Sequence, residues 1–300
     1  MRTIITTGTD DLTIADRRTP EPGRGEVRIR VGAASVNPVD IGAAHGLFHR
    51  LGIIPPGAAV GLGWDVSGVV EALGPDVTEP AVGTAVAGLR VGIGPDIGTY
   101  SEYVVLPAGA VAALPEGLDP VAAAAVPLVS LTASQSISLL DPGGRRLLIV
   151  GASGGVGNAA VPLAARSGAT VTAVGKPDDV DDLRARGAGT VTTSIADLDG
   201  TLFDAVFDPA GVGAPLLDLI VDEGRYLGTA PRNAPAPTRG ITSGWIEVRA
   251  DGAELAELLG DVAAGRLPSR IAGDVPLDEA AKAHRAFEDK SAPGRWLIRP

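Results

Sequence analysis

Residues 147–157 are Leu147-Leu148-Ile149-Val150-Gly151-Ala152-Ser153-Gly154-Gly155-Val156-Gly157, and this stretch gives the strongest indication of the fold. An apolar run breaks into a glycine-rich turn, and an alanine-rich amphipathic segment follows at residues 158–165. That order is typical of a strand, a phosphate-binding loop and a helix. Glycines suit such a loop because bulky side chains would keep the backbone N–H groups away from a pyrophosphate, which binds at the positive end of a helix. The stretch therefore predicts a dinucleotide site.

The loop meets the pattern G-x-G-x-x-G only in part. Ala152 stands where the first glycine would be, and Gly154 and Gly157 supply the other two. A glycine-rich turn in some other α/β fold therefore stays open as an alternative. The loop residues that we expect to bind the cofactor are Ser153, Gly154, Gly155, Val156 and Gly157.

Apolar runs alternate with helical segments on both sides of the loop. A second run at residues 170–174 ends roughly 20 residues beyond the glycines, which is the β-α-β spacing that the fingerprint requires. A third run at 205–207 closes in Asp208, and a fourth at 225–228 follows a helical stretch. The alternation predicts a Rossmann-type doubly wound parallel sheet. We add Ala210 and Gly228, near the ends of these two runs, to the expected cofactor-binding residues.

Composition and charge narrow the class of protein. The chain has 300 residues, of which 45% are hydrophobic and 20% charged, enough for two globular domains with full cores. A net charge of −11 argues against broad nucleic-acid or anionic-membrane surfaces, which need clustered basic residues. The first residues lack the apolar core of a signal peptide and no run approaches 18 apolar residues, so we expect a cytoplasmic protein.

Residues 1–117 differ in sequence pattern from those that follow. Short apolar runs at 26–31, 66–73, 85–89 and 103–106 are separated by glycine and proline turns, which predicts a β-rich domain. From residue 118 the chain becomes an alanine-rich helix, with Asp119 as its predicted N-cap and Pro120 at the first helical position. The Rossmann-type domain is predicted at 118–248, and a helical tail begins at Asp251.

The position of the glycine loop separates dehydrogenase architectures. Short-chain enzymes place this loop at the start of the chain and need a tyrosine four residues before a lysine. The residues four before the three lysines of this chain are Thr172, Asp278 and Ala286, so the short-chain architecture is excluded.

A β-rich domain ahead of the cofactor domain resembles the medium-chain dehydrogenase/reductase superfamily, specifically its zinc-free quinone oxidoreductase-like branch. The resemblance covers nearly the whole chain. The motifs that carry it are Val36-Asn37-Pro38-Val39-Asp40, residues 63–70 (GWDVSGVV), 98–104 (GTYSEYV), 131–133 (LTA), the glycine loop and 276–284 (PLDEAAKAH). It implies a GroES-like catalytic domain at 1–117, completed by 249–300, with the active site in the cleft beside the cofactor domain.

The zinc ligands of related enzymes are missing. Zinc-dependent relatives carry a histidine where this chain has Trp64 and a cysteine near Asn37, and this chain has no cysteine and three histidines. These are too few soft or imidazole ligands for a catalytic zinc. His45 and His49 are four apart, but Gly46 stands where a zincin would need glutamate, so we interpret them as histidines of a loop.

The resemblance also implies roles for individual residues. Asn37 would hydrogen-bond near the nicotinamide or the substrate carbonyl, with a plain turn residue before Pro38 as the alternative, and Thr132 would contact the cofactor. Many relatives have a tyrosine at the position of Phe48 that orients substrate or relays a proton, and phenylalanine can do neither.

The proton donor therefore stays open at this stage. His45, His49, Tyr100 or solvent could replace the missing tyrosine, and the spacing selects none of them. Together with Asn37 and Phe48, we carry His45 and Tyr100 forward as candidate catalytic residues.

The end of the second Rossmann strand bears on coenzyme choice. NAD-preferring enzymes usually place a carboxylate there, whereas this chain has Gly175-Lys176, which leaves room and positive charge for a 2′-phosphate. Asp178 and Asp179 lie just beyond and favour NADH if the strand end shifts. We expect NADPH, and metal-free hydride transfer to a quinone or an α,β-unsaturated carbonyl.

Two alternative functions and an expected oligomeric state follow from other features of the sequence. Residues 151–155 also satisfy G-x-S-x-G, the nucleophile elbow of α/β-hydrolases, with Asp208 and His284 following in order. The missing tyrosine makes a non-catalytic NADPH-binding module an alternative. An edge strand at 241–248 is expected to pair with its copy and form a homodimer.

Overall fold

The structure, a computed structural model, describes residues 1–94 and 98–300. The chain divides into two compact units. Unit 1 comprises Met1–Leu128, Arg249–Ala264 and Ser269–Pro300, and unit 2 comprises Val129–Val248 and Gly265–Pro268. The boundary expected from sequence, between residues 117 and 118, precedes the alanine-rich segment, whereas this division follows it.

The regular elements are named in chain order. The strands are β1 (Arg2–Thr6), β2 (Thr13–Asp16), β3 (Glu26–Ser35), β4 (Val60–Gly61), β5 (Asp65–Leu73), β6 (Ala85–Leu89), β7 (Tyr103–Pro107), β8 (Val111–Ala113), β9 (Arg146–Val150), β10 (Thr170–Val174), β11 (Thr190–Thr192), β12 (Phe203–Asp208), β13 (Ile220–Gly228), β14 (Thr242–Trp245), β15 (Ile271–Pro276) and β16 (Arg295–Arg299). The α-helices are α1 (Pro38–Ala44), α2 (Leu47–Arg50), α3 (Pro127–Leu140), α4 (Gly155–Arg166), α5 (Val180–Ala185), α6 (Gly252–Ala263) and α7 (Ala280–Glu288). Short 3₁₀ helices lie at Ala108–Ala110, Ala122–Ala125, Pro177–Asp179, Ile195–Leu198, Ala214–Leu219, Pro231–Asn233 and Leu277–Glu279.

Unit 2 is built on a six-stranded parallel sheet in the order β11-β10-β9-β12-β13-β14. Counted within the unit, this is the order 3-2-1-4-5-6 of a doubly wound dinucleotide-binding fold. The central strand β9 is apolar on both faces because both faces are covered. Leu147 and Ile149 pack into one core cluster, while Leu148 and Val150 pack into another. The predicted Rossmann-type sheet is confirmed.

Glycines let the loop after β9 turn directly into α4. Gly151 has a φ of +83°, a conformation that side chains disfavour. A Cβ atom on Gly157 would lie 2.9 Å from both the Ala152 Cα atom and the carbonyl carbon of Gly151, which is closer than real Cβ atoms come. The first turn of α4 therefore packs against the end of β9 without a side chain between them.

Unit 1 contains two sheets. One has three strands in the order β2-β1-β4; the other has the order β15-β16-β3-β5-β6-β8, with β7 also paired to β3. Along β3, the buried residues Val27, Ile29 and Val31 alternate with Arg28 and Arg30, which is the period of a strand with one face in the core. Pairing of β16 with β3 brings the C-terminal residues into unit 1.

Aspartate side chains lie at the N-terminal ends of two predicted helical segments. The Asp251 side chain accepts the N–H of Glu254 at 3.0 Å and caps α6, the helical tail predicted to begin at this residue. Asp119 accepts the N–H of Ala122 at 3.1 Å, but the prediction that it is an N-cap residue is wrong, because Val121 is the N-cap residue of the short 3₁₀ helix Ala122–Ala125. The α-helix α3 begins at Pro127, because proline has no N–H to continue an earlier helix and is well suited to a first turn. Strand β14 is likewise shorter than the predicted 241–248.

One helical segment, Ala122–Leu140, is long and apolar enough to cross a membrane by length and composition. Of its most apolar 18-residue window, 72% is buried inside the protein. A core helix of a globular protein passes the same test, so this segment is weak support for a membrane span.

Adding one methyl group at Gly157 tests the close packing of α4 on β9. Gly157→Ala places a Cβ atom against the Gly151 backbone, so we expect a loss of about 1–3 kcal/mol of unfolding free energy, measured by chemical denaturation. Gly260→Ala in α6 is the matched control, because no atom lies within 4 Å of its added Cβ. There alanine should stabilise by about 0.5–1 kcal/mol through its higher helix propensity. Equal effects of the two substitutions would contradict the packing.

Candidate active site

In unit 2, the loops after β9 and β12 lie side by side. These neighbouring strands are where the strand order reverses, and ligands of doubly wound sheets bind at the carboxyl ends of such strands. A Cβ atom on Gly151 would lie 2.9 Å from the Ala210 Cβ atom, so the two loops are in contact. The sequence-predicted residue Ala210 therefore lies beside the glycine loop.

The beginning of α4 offers a site for an anion. Gly154 is the N-cap residue, and both Gly154 and Gly155 are exposed to solvent. The N–H groups of a helix's first turn have no acceptors within the helix, and the helix dipole places positive potential there. Exposed glycines leave these N–H groups accessible, and this fits the pyrophosphate of a dinucleotide.

Ser153 connects the glycine loop to the end of β10. Its Oγ atom accepts the backbone N–H of Lys176 at 2.7 Å. A Cβ atom on Gly175 would lie 3.0 Å from Ser153 Oγ, so the serine packs closely against the residue where NAD-preferring enzymes usually carry a carboxylate. The Lys176 side chain is exposed, whereas Asp178 and Asp179 belong to the 3₁₀ helix that follows.

Asp208 organises the loop after β12, a role that sequence reasoning missed. It is fully buried, and its carboxylate accepts the N–H groups of Gly211 at 2.9 Å and Gly213 at 2.8 Å. It also accepts the Tyr226 hydroxyl at 2.7 Å. Burial, and next the hydrogen bond to Asp208, raise the pKa of Tyr226 above its ordinary value. A buried aspartate directly before Pro-Ala-Gly was the available signal.

The serine-hydrolase interpretation finds other partners for its three residues. Ser153 Oγ accepts a backbone N–H, and Asp208 holds its own loop and Tyr226. His284 is buried in unit 1, with its Nε2 atom 3.4 Å from the Tyr100 hydroxyl. Each residue of the supposed triad is thus engaged in a separate structural interaction.

In unit 1, Asn37 belongs to a polar group that we call the Asn37 cluster. It is made up of the buried residues Ser35, Asn37, Asp40, Asp65, Tyr100 and His284 and the half-buried Arg295. Asn37 is the N-cap residue of α1 and is fully buried. Its Nδ2 atom donates to Asp65 Oδ2 at 2.9 Å and to the main-chain oxygen of Ser35 at 3.2 Å. Because both amide hydrogens are in use, Asn37 does not have one free for a substrate carbonyl.

The Asn37 side chain keeps one polar atom without a partner. The N–H of Asp40 faces this side chain in the manner of a capping box, but it donates at 3.0 Å to the main-chain oxygen of Asn37. The Oδ1 atom is therefore buried and accepts no hydrogen bond. What Asn37 can offer a ligand is an acceptor.

Asp40 holds the backbone beneath Asn37. Its carboxylate accepts the N–H groups of Asn37 and Gly63, each at 2.9 Å. Burial raises the pKa of Asp40 to about 7, although these two hydrogen bonds favour the charged form. Tyr100, a candidate catalytic residue, is fully buried beside Asp40, and burial raises its pKa well above the ordinary value. Tyr100 is therefore a poor proton donor to a ligand.

His284 was not predicted to lie in this cluster. Burial, and next the nearby His45, lower the pKa of His284 to about 4, so it is neutral near pH 7. Its ring meets that of Tyr100 edge to face, with centroids 5.8 Å apart. His284 thus closes the cluster on the α7 side.

The two other histidines are also engaged. His45 lies at the end of α1, where its Nδ1 atom contacts Asp10 and its Nε2 atom contacts Glu288 Oε1 at 2.6 Å. Hydrogen bonds to Glu288 and then to Asp10 raise the pKa of His45. The Nε2 atom of His49 contacts the Ala58 carbonyl oxygen at 2.9 Å, and Phe48 packs against an apolar core cluster. Within the described residues, none of these three side chains has a hydrogen bond to Asn37.

The remaining predicted positions lie on unit 2. Thr132 is buried on α3, and Gly228 is the last residue of β13. The donor set of the chain does not fit a catalytic zinc, because there is no cysteine, Trp64 replaces the expected histidine, and the Asn37 amide is occupied. Within the ranges 1–94 and 98–300, no group of three His, Asp or Glu side chains is placed to hold a metal.

Comparison with known proteins agrees with this arrangement. The family model for the alcohol dehydrogenase GroES-like domain matches residues 23–116, and that for the zinc-binding dehydrogenase matches residues 184–298. A quinone oxidoreductase of Pseudomonas aeruginosa is 30% identical, over 98% of this chain and 97% of that protein. The chain belongs to the medium-chain dehydrogenase/reductase superfamily, in its quinone oxidoreductase-like branch. Unit 1 is accordingly GroES-like.

Other members of the superfamily are similar over most of this chain. A trans-enoyl reductase of Aspergillus terreus is 31% identical, over 92% of this chain and 76% of that protein. The solved quinone oxidoreductase from Coxiella burnetii has a TM-score of 0.85 and 27% identity, covering 100% of this chain and 99% of that one. The chain also matches the phthioceranic/hydroxyphthioceranic acid synthase of Mycobacterium tuberculosis at 32% identity over 99% of its own length, but it spans only 15% of that protein.

The two carboxylates on His45 make stability depend on pH. A histidine whose pKa is raised on folding stabilises the protein fully below its unfolded pKa of about 6.5, and this contribution is lost as pH rises through the folded pKa. Glu288→Gln should therefore lower the melting temperature more at pH 6 than at pH 9, measured by circular dichroism. The contribution of the neutral His284 to stability has the opposite pH dependence, and Arg50 also contacts the His45 main chain. The effect of the His45–Glu288 pair is therefore read from the difference in melting temperature between Glu288→Gln and wild type.

Glu279→Gln is the matched control, because its partner at 2.9 Å is Lys282 and not a histidine. Its effect on the melting temperature should be equal at both pH values. A Glu288→Gln effect that is also independent of pH would contradict the charged state of His45.

Proposed function

We propose that this protein is an NADPH-dependent reductase that transfers hydride to a quinone or to an α,β-unsaturated carbonyl, without a metal. The observation that carries the proposal is the Ser153–Lys176 connection beside the exposed N-terminus of α4. Two relatives support the choice of substrate, since one is named a quinone oxidoreductase and the other a trans-enoyl reductase. Both names describe reduction of a conjugated acceptor.

The residues of unit 2 would hold the coenzyme by its phosphates. The N–H groups of Gly155, Val156 and Gly157 would bind the pyrophosphate. Lys176 follows the strand end at which the adenosine ribose binds in this fold, so its ammonium would pair with a 2′-phosphate. Gly175 provides no carboxylate for a 2′-hydroxyl. When bound, the coenzyme supplies the hydride.

The residues of unit 1 would orient groups rather than exchange protons. Asn37 Oδ1 would accept a hydrogen bond from an amide or hydroxyl of the coenzyme or substrate. His45 and His49 have internal partners, Tyr100 is buried with a raised pKa, and Phe48 has no hydroxyl. We therefore propose that water supplies the proton to the reduced substrate.

Removing the positive charge of Lys176 tests the coenzyme assignment. Lys176→Gln should weaken NADPH binding by about 1.5–3 kcal/mol, roughly 10- to 100-fold, because a charge-assisted phosphate contact is lost. Binding of NADH should change little, since its ribose carries no 2′-phosphate. The measurement is isothermal titration calorimetry with each coenzyme.

Lys290→Gln is the control, since it removes the same charge from an exposed lysine that belongs to unit 1. The same proteins are then assayed by stopped-flow oxidation of NADPH with a panel of quinones and enones. Equal weakening of NADPH and NADH in Lys176→Gln would overturn the choice of coenzyme. Tight NADPH binding without turnover of any acceptor would instead favour a non-catalytic NADPH-binding module.

We also propose a cytoplasmic homodimer. Strand β14 pairs with β13 on one side only among the strands that the structure describes, and Trp245 at its end is 42% exposed. Such an edge can continue its sheet with a second copy around a two-fold axis. Light scattering at micromolar concentration should give twice the chain mass of 30.1 kDa. The mass of a single chain would contradict the dimer.

A further inference from the structure

Asp65, at the start of β5, contacts two segments that carry predicted site residues. Its carboxylate is fully buried and accepts three hydrogen bonds. Ser35 Oγ donates to Oδ2 at 2.5 Å, Asn37 Nδ2 donates to Oδ2 at 2.9 Å, and the backbone N–H of Leu128 donates to Oδ1 at 2.6 Å. Leu128 lies in the first turn of α3, the helix that carries Thr132. One carboxylate therefore holds both Asn37 and the beginning of α3.

We propose that Asp65 is a positioning residue for the reaction, which fixes the orientation of the Asn37 amide within unit 1. The inference rests on the proposed function, because it gives Asn37 a ligand to contact. Nothing requires Asp65 itself to touch the coenzyme or the substrate, since it acts through Asn37.

The partners of Asp65 suit a carboxylate rather than a neutral group. All three are hydrogen-bond donors, and a helix N-terminus stabilises negative charge. Arg295 provides a nearby positive charge, and its Nε atom is buried without a partner. Burial raises the pKa of Asp65, and Arg295 opposes that rise. The charge is thus held by four surrounding groups of the protein.

The polarity of Asp65 determines which atom of Asn37 is free. A carboxylate oxygen accepts only, so the atom of Asn37 that faces it must be Nδ2, and Oδ1 is left without a partner. An asparagine at position 65 would keep its own oxygen toward the Leu128 N–H and turn an NH₂ group toward Asn37. The Asn37 amide would then be driven to turn around and present a donor where the wild type presents an acceptor.

Asp65→Asn and its exchange partner form the central test. Asp65→Asn should lower kcat/KM for reduction of the best acceptor on the order of 100-fold, as misplacement of a contacting group does. Asn37→Asp alone places two carboxylates together and should lose activity as well. The exchange variant Asn37→Asp/Asp65→Asn restores a donor opposite an acceptor between these two positions, but it places a carboxylate oxygen against the Ser35 main-chain oxygen, to which Asn37 Nδ2 donates in wild type. Its recovery over either single variant should therefore be partial.

Ser67→Ala is the matched control on the same strand. Ser67 is buried on β5, and its hydroxyl has no hydrogen-bond partner, so its loss should leave kcat unchanged. All variants are assayed at a temperature at which circular dichroism shows them folded. A merely structural role for Asp65 would lower the melting temperature but leave the kcat of the folded Asp65→Asn enzyme at the wild-type value, and this would overturn the inference.

A measurement without turnover separates this inference from the proposed function. The chain contains three asparagines, Asn37, Asn158 and Asn233, so labelling the side-chain nitrogen of asparagine with ¹⁵N gives three NH₂ signals. Asn158→Asp and Asn233→Asp assign the remaining signal to Asn37. In wild type the Asn37 protons should exchange slowly with solvent. Asp65→Asn adds a fourth NH₂ signal, and the Asn37 signal of this variant is the one that disappears in Asn37→Asp/Asp65→Asn. Its exchange should be faster than in wild type.

The outcomes of the two measurements are distinct. If wild type reduces no quinone or enone but its Asn37 protons are protected through Asp65, the proposed function fails and the contact stands. If wild type is active and Asp65→Asn changes neither the Asn37 exchange nor kcat, the positioning role fails and the proposed function stands.

Discussion

The close packing of α4 on the end of β9 is the constraint on which the coenzyme half of this protein depends. Gly157 has no room for a side chain against the backbone of Gly151 and Ala152. This approach directs the first turn of α4 toward the carboxyl end of the parallel sheet, where the loops after β9 and β12 meet. Exposed N–H groups then face a position that a pyrophosphate can occupy. Ser153 connects this loop to the turn at Lys176, because its Oγ atom accepts the Lys176 N–H.

In unit 1, two buried carboxylates hold Asn37 in place. Asp40 binds the backbone of Asn37 and Asp65 binds its side chain. Burying two carboxylates is unfavourable unless donors and opposite charge surround them, and here backbone N–H groups and Arg295 do so. The consequence is a rigid acceptor at Asn37, which suits orientation of a ligand through hydrogen bonds alone.

The sequence predicted most of the fold because the decisive signals were local. The apolar run of β9, the glycines after it and the next strand at the right spacing required only neighbours along the chain, and so did the helical tail that begins at Asp251. The site was harder to predict, since hydrogen-bond polarity depends on distant residues. Asn37 and Asp65 are brought together by the pairing of β3 with β5, and His45 meets Asp10 and Glu288 from opposite ends of the chain. Asp208 could be recognised as a polar residue at a strand end, but its partner Tyr226 lies 18 residues away in the sequence and meets it only in the folded chain.

Coenzyme binding at the start of α4 can be observed in a crystal structure of the protein with NADPH. We expect pyrophosphate oxygens within hydrogen-bond distance of the N–H groups of Gly155, Val156 and Gly157, and the 2′-phosphate beside Lys176. Coenzyme bound with its pyrophosphate away from the start of α4, or a protein that binds no nicotinamide coenzyme at millimolar concentration, would contradict this expectation.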